Sequence, residues 1–534
     1  MTFTLLKRAK PWDVVVIGSG ATGGWAALQL GRRGLSVLVL EAGPDGIDAP
    51  SRQSALRLRA KQFVDGALGQ RKIQSRIPNY WELDPDLFVL DTEHPYRTPE
   101  GRDFDWIRTR AVNGRLLTWG GIGVRTSDYE FKAAERDGYG EAWPFGYEDL
   151  RPHYDDVDDF FPVYGQQDGL PQLPDGNYVA IPRLTEAEHR FKEAVVARFV
   201  GRQVIASRGV LVRTSSRPNG EAPPPSPLRA AVARHGVSLR ANAVVSQIVV
   251  DVDGRAEKVA FFDRLTKRSH EVTCRAVAVC ASTLETTRIL LNSASPQHPD
   301  GLGNSSGSLG RNLMDHCAVF VTGSAPGDGA KAWNDGSGGP KNIMVPRFHN
   351  LENKASGPFL RGYGIFGGIG RDPSPTRKGS GGKEVALGLV AYGEMLPRPE
   401  NRAVLDRECM DAWRIPTLSI DCAYSSNEHA MIDHMLASLQ EMVAAIGGRI
   451  EGQHRFAPGG FVHETGTARM GSNPRTSVLN SFGQCWDADN VYVMDGAAWP
   501  SGAWQNPTFT MMALAGRASQ HLAHRVIDKK PWRV

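Results

Sequence analysis

The chain has 534 residues, too many for one hydrophobic core, so roughly two to four structural units are expected. Hydrophobic residues make up 41% and charged residues 22%, and 62 Lys and Arg nearly balance 58 Asp and Glu. This is the composition of an ordinary globular enzyme and offers no basic block to a nucleic acid. The six cysteines, Cys274, Cys280, Cys317, Cys409, Cys422 and Cys485, form no CxxC pair; zinc and iron–sulfur spacings are absent, and buried thiols in a reducing compartment are expected.

The first twenty residues contain neither a signal-peptide apolar region nor the start of an 18-residue apolar span. The expected location is therefore the cytoplasm, without a membrane span; periplasmic export alongside a signal-bearing partner stays open. Asp13–Ile17 is a short β-branched run suited to a buried parallel strand. Gly18-Ser19-Gly20-Ala21-Thr22-Gly23 follows, then helix-forming residues 25–33 and a second buried strand, 36–40, ending at Glu41. The sum is a βαβ unit of dinucleotide-binding size. Residues 45–105 are polar, proline-containing and irregular, and residues 106–131 carry the glycine-rich stretch Asn113-Gly114 to Gly120-Gly121. Residues 141–164 read as partly helical and 207–227 as a loop. Strands are expected over 237–252 and 275–280, then a helix over 282–292. Alternating apolar patches predict a largely antiparallel sheet within 315–425, followed by a long helix over 427–446, a strand over 491–495 and a final helix over 507–526.

In the GxGxxG turn the first glycine permits the tight turn. The second lets the backbone approach a pyrophosphate, whose charge meets the helix N-terminus. Glu41 stands where a carboxylate accepts hydrogen bonds from ribose hydroxyls. These features mark a dinucleotide site without separating FAD from NAD. Two other matches fail on context. His463-Glu464 begins like HExxH, but Thr467 stands at the last position. Gly303-Asn304-Ser305-Ser306-Gly307 matches GxSxG in a polar loop, without the strand that a nucleophile elbow needs.

The late segment His463-Glu464-Thr465-Gly466-Thr467-Ala468-Arg469-Met470-Gly471, the strand ending Asp495-Gly496, and Gln505-Asn506-Pro507-Thr508 at the last helix complete a pattern. With the N-terminal GxGxxG, it resembles the glucose–methanol–choline (GMC) oxidoreductases. Arg311–His316 and Pro399–Arg402 are similar to the family's bacterial branch, and the resemblance runs from about residue 12 to 526. Within the family, 463–466, 505–508 and Arg361–Gly364 look most like bacterial glucoside 3-dehydrogenases, glycoside 3-oxidases and pyranose oxidases. Phe366 departs, standing where a polar residue is expected.

The resemblance implies an α/β chain (α+β overall) with a Rossmann-like FAD-binding domain and a second, largely antiparallel-sheet substrate domain. The expected boundaries are 10–314 mainly FAD-binding, with irregular insertions at 45–105 and 150–230, then 315–455 mainly substrate-binding, and 456–530 returning to the FAD domain with the catalytic residues. It implies FAD-dependent oxidation of a secondary hydroxyl of a pyranose or glycoside, at C3 before C2. His463 is the expected base, because a neutral imidazole accepts a proton near neutral pH, and Asn506 holds the same substrate oxygen. Asn506 before Pro507 also reads as a helix cap, which competes for its side chain. For His316 a structural reading is favoured over a catalytic one.

Cofactor contacts are expected from Gly18, Ser19, Gly20, Ala21, Thr22, Gly23, Glu41, Asn113, Gly114, Thr118, Gly120, Val245, Asp495, Gly496, Asn506 and Thr508. Substrate contacts are expected from Trp504 and Gln505, with the flat faces of Trp499 and Trp504 covering a ring. The FAD is expected to be non-covalent, because Thr118 stands before Trp119 where several family members bond the flavin through histidine. No metal site is expected. The electron acceptor is oxygen, a quinone-like molecule or a separate electron-transfer protein, and a small partner subunit is compatible with the chain. The alternatives are a non-sugar alcohol or sterol as substrate, an acyl hydrolase, and a non-catalytic flavin-binding protein.

Overall fold

The computed structural model of the chain describes residues 4–5, 10–46, 55–76, 85–210, 225–327, 342–352, 357–371 and 383–528. The loop expected over 207–227 lies largely outside these residues.

Strand β1 (Trp12–Ile17), helix α1 (Ala21–Arg32) and strand β2 (Val37–Leu40) form the expected βαβ unit, with Val14 opposite Val37 and Ile17 opposite Leu40 in parallel register. The helix begins four residues before Trp25, although Gly23 and Gly24 are poor helix formers. Their missing side chains are what let the first turn sit on the strand: a Cβ at Gly23 would lie 2.0 Å from the Gly18 carbonyl oxygen.

The strand expected over 237–252 is broken by Asn242, whose φ of 56° lies in the left-handed region. It becomes β3 (Ser238–Arg240) and β4 (Ala243–Val250). Strands β5 (Ala256–Asp263) and β6 (Ser269–Val279) follow, then α2 (Thr283–Asn292). The sheet runs β3-β2-β1-β6-β5-β4. The first half of β6 pairs antiparallel with β5 and its second half parallel with β1, so one strand joins a hairpin meander to a parallel nucleotide-binding sheet.

The chain then enters a second layer. β7 (Arg311–Met314) leads within two residues into β8 (His316–Pro326). β9 (Ile343–Val345), β10 (Tyr363–Ile369) and β11 (Glu384–Glu394) complete the antiparallel face, and β12 (Arg402–Met410) and β13 (Pro416–Asp421) form a hairpin that pairs with β7. Helix α3 (Ser426–Ala444) packs across the sheet, and β14 (Arg449–Arg455) closes its edge. The order is β14-β8-β11-β10-β9, ending on the short strand Ile205–Ala206. One face of this sheet is the core: Val319, Val321, Leu389, Ala391 and Ile365 pack with Met431, Met435 and Leu439 of α3. Because side chains alternate along a strand, the residues between them face the other way.

The chain returns through β15 (Thr465–Thr467), which pairs with β7, and β16 (Val491–Val493), which pairs parallel with β6. Helix α4 (Thr508–Ile527) ends the fold and packs beside α1, with Gly516 close to Trp25. Two long-range returns therefore bring the C-terminal segments to the nucleotide sheet, and the same segments cross the open face of the second sheet. None of the helices among the described residues is long and apolar enough to cross a membrane.

Candidate active site

Between the two sheets lies an elongated cavity of about 540 Å³. One end is the β1–α1 turn, where Gly18 has φ +95° and a Cβ would stand 2.4 Å from the Cys280 carbonyl oxygen, so only glycine fits. The N-cap of α1 is Gly20, and no side chain caps the helix. Its first-turn amides are thus free to face an anion. Glu41 lines the same end; its carboxylate accepts from the Ser19 amide (3.0 Å) and hydroxyl (2.6 Å) and from the Gly43 amide (2.7 Å). This turn, its uncapped helix and the terminal carboxylate have the shape and donor set that a dinucleotide requires.

Of the residues expected to contact the cofactor, Gly18, Ser19, Gly20, Ala21, Thr22, Glu41, Gly114, Thr118, Gly120, Val245, Asp495, Gly496, Asn506 and Thr508 line the cavity. Gly23 and Asn113 do not. Gly23 is the contact between helix and turn, and Asn113, in the left-handed region at φ 77°, donates its amide to the Ser19 hydroxyl at 3.1 Å. Arg108, Arg110, Glu285 and Ile289 also line the cavity without having been marked by any motif.

His463 and Asn506 line the same cavity. Three contacts set the position of His463. The Asp315 carboxylate accepts from the His463 amide (3.0 Å) and the Phe461 amide (3.2 Å), and the rings of His463 and His316 meet through their Nδ1 atoms at 3.0 Å. Arg115 grips the next residue, Glu464, with both guanidinium nitrogens (2.7 and 2.9 Å) and donates to the Val462 carbonyl. The clasp joins the glycine-rich turn at 114 to the segment that carries His463.

The protons of the imidazole pair follow from the partners. His316 Nε2 lies 2.6 Å from the Ala503 carbonyl oxygen, which only accepts, so Nε2 carries hydrogen. Burial pushes His316 down to about 4, so at neutral pH the ring is uncharged and its Nδ1 is bare. His463 Nδ1 must then donate to it, which leaves His463 Nε2 as the unprotonated nitrogen. Burial, helped by His316 and Arg115, holds His463 well below the ordinary value of 6.5. Burial, with the Glu464 carboxylate adding to it, raises Asp315 to about 7, against the lowering effect of the amides it accepts. Burial also raises Asp495 to about 6, although it accepts from the Thr286 hydroxyl and the Ala497 amide.

The sequence marks Asn506 as both substrate contact and helix cap. The helix instead starts at Thr508, with Pro507 at the N-cap, and no side chain caps it. Asn506 Oδ1 accepts from the Tyr392 hydroxyl at 2.6 Å. That contact comes from β11, a strand no local motif could have linked to residue 506. Trp499, Trp504 and Gln505 do not line the cavity. Trp499 packs edge-on to Trp143, Trp504 lies under Gly364, and Gln505 Nε2 donates to the Glu130 carboxylate at 3.0 Å. All three are buried. Arg361 is also buried, paired with Glu394 and Asp137.

Ser305 donates to the Asp487 carboxylate on an exposed loop and belongs to no elbow. Five of the cysteines are buried and all six are free thiols. Among the described residues there is no group of three or more His, Cys, Asp or Glu placed to hold a metal.

Comparison with known proteins matches two GMC oxidoreductase models, at residues 225–318 and 397–515, and an FAD-dependent oxidoreductase model at residues 13–61. A 2-methyl-1,2-propanediol dehydrogenase from Mycolicibacterium austroafricanum is 27% identical over 97% of this chain and 96% of its own. The fructose dehydrogenase large subunit from Gluconobacter japonicus is 27% identical over 95% of this chain and 97% of its own. A C-glycoside 3-oxidase from Microbacterium trichothecenolyticum is 26% identical over 53% of each chain.

Proposed function

The chain belongs to the GMC oxidoreductases and carries FAD, and from that premise we propose that it oxidises a secondary ring hydroxyl of a pyranose or glycoside to the ketone, at C3 before C2. The observation that carries the reading is the hydrogen-bond line from Ala503 through His316 to His463, which leaves one imidazole nitrogen bare in the cavity.

Oxidation of an alcohol removes a proton from oxygen and a hydride from carbon, and the C–O bond becomes C=O. FAD, when bound, supplies the acceptor for the hydride. His463 Nε2 takes the hydroxyl proton, and the depressed proton affinity of the buried ring keeps it neutral and ready at pH 7. Asn506 Nδ2, its oxygen held by Tyr392, donates to the same substrate oxygen and fixes the carbinol hydrogen's direction. Gly18–Thr22 and Glu41 hold the dinucleotide, and the N-terminus of α4 adds favourable potential at the cavity.

Support for a carbohydrate comes from relatives named for fructose and for glycosides, and support for C3 from the C-glycoside 3-oxidase. Electrons then pass to oxygen, a quinone-like molecule or a separate electron-transfer protein. Residues 150–273 contain no cysteine to hold a cluster, and the relative named as a large subunit fits the last of these acceptors. A second reading, a non-sugar alcohol, is favoured by the apolar side chains of Phe320, Phe366, Val390, Phe456 and Phe461, which line the same cavity as His463.

Anaerobic mixing with a panel of pyranoses and glycosides, followed by flavin absorbance and product analysis, tests the proposal. A 3-keto product is expected. No reduction by any pyranose or glycoside, with rapid reduction by a sterol or simple primary alcohol, overturns it.

A further inference from the structure

The cavity wall opposite the dinucleotide turn is built by strand register. Phe320 of β8 and Phe366 of β10 both stand opposite Val390 of β11, one on each side. Tyr392, two residues on, points to the same face, while Val319, Leu389, Ala391 and Ile365 turn into the core beneath α3. Phe456, just past β14, and Phe461 complete the wall, and all six side chains line the cavity. Tyr392 and Phe461 lie 4.9 Å apart at 33°, and Phe456 meets Phe461 edge-on at 5.5 Å. Trp504 backs Phe366 from a buried cluster with Met344 and Val124, so the wall has little freedom to recede.

None of these six side chains is charged. Their one polar atom, the Tyr392 hydroxyl, is already donated to Asn506. A substrate hydroxyl laid against the wall would lose water and gain no partner, whereas a flat ring would gain faces and edges to pack on.

We propose that the alcohol oxidised here bears a flat aromatic ring, seated on Phe320, Phe366 and Phe461, and that in a glycoside this ring is the aglycone. The inference rests on His463 as the base of this cavity but not on the alcohol being a sugar.

The test compares kcat/KM of the holoenzyme for two pairs, phenyl against methyl β-glucoside and 1-phenylethanol against 2-butanol. The aryl member should lead by roughly tenfold or more in at least one pair, the size of effect expected when a ring is buried against aromatic neighbours. Phe366→Leu, which keeps apolar bulk but loses the flat face, should shrink that ratio, and Phe320→Ser should shrink it further. If phenyl and methyl glucoside are used equally well and 1-phenylethanol does not outpace 2-butanol, the aromatic seat is overturned and the pyranoside reading stands. If neither glucoside reduces the flavin but 1-phenylethanol clearly outpaces 2-butanol, the pyranoside reading falls and the aromatic seat stands. A ratio unmoved in both variants, or no reduction by any of the four, overturns the seat.

Discussion

The Tyr392 hydroxyl donates to Asn506 Oδ1 at 2.6 Å across 114 positions of sequence, tying the second sheet to the segment that enters α4. The bond settles which end of the amide faces outward: with Oδ1 engaged, Nδ2 is the donor left for a substrate oxygen. Tyr392→Phe should therefore lower kcat, by up to about tenfold for one hydrogen bond, while flavin content stays normal. Single-turnover flavin reduction measures this, and an unchanged rate would show that the bond does not orient Asn506.

His463→Ala should retain FAD and lose turnover by roughly 10²–10⁴. The hydrogen bonds that hold the dinucleotide turn run among Ser19, Glu41, Gly43 and Asn113 and do not involve His463, so cofactor binding should survive. A variant with normal flavin and a near-normal reduction rate would remove His463 from the role of base.

His316 acts through His463 and is best tested by pH. Both imidazoles are depressed by burial, so the base is neutral at pH 7, and the acid limb of kcat/KM should lie below 6.5. As pH falls through these lowered values, the acceptor line and activity are lost. His316→Ala removes an effect that lowers His463, so its acid limb should move upward toward 6.5. A drop in rate with the limb unmoved would mark His316 as a packing residue alone.

The flavin should be held non-covalently. Thr118 lines the cavity and its hydroxyl lies 3.4 Å from the Arg115 carbonyl oxygen; it has no imidazole nitrogen to bond the ring. Acid precipitation should release all yellow colour to the supernatant, and colour kept in the pellet would contradict this.

Gly18→Ala places a methyl group 2.4 Å from the Cys280 carbonyl oxygen at a φ of +95°. Both the clash and the backbone conformation oppose it. Flavin occupancy and thermal stability should fall together, whereas Gly20→Ala, with nothing within 4 Å of its Cβ, should keep the apoprotein stable.

What was legible in the sequence is what lies close along the chain. The run from Asp13 to Glu41 announces strand, turn, helix and strand because periodicity and glycine spacing are local signals. The antiparallel segment and α3 were visible for the same reason. The wall of Phe320, Val390, Phe366 and Tyr392 was not, because register across three strands brings them together and no single segment records it. The expectation that the faces of Trp499 and Trp504 cover a substrate ring differs from the structure on the same ground: both rings pack in the core. His316 was read as structural from its own segment, and only the return of residues 461–463 past Asp315 shows its ring against His463.

The alternation in β11 has an evolutionary consequence. Leu389 and Ala391 are committed to holding the sheet on α3, whereas Val390, between them, is open to the cavity. Mutations at Val390, Phe320 and Phe366 can therefore trade one preferred alcohol for another while the fold's foundation, and the pairing of His463 with His316 at the start of β8, are inherited unchanged. A lineage with this layout can diversify its diet by drifting at alternate positions of three strands.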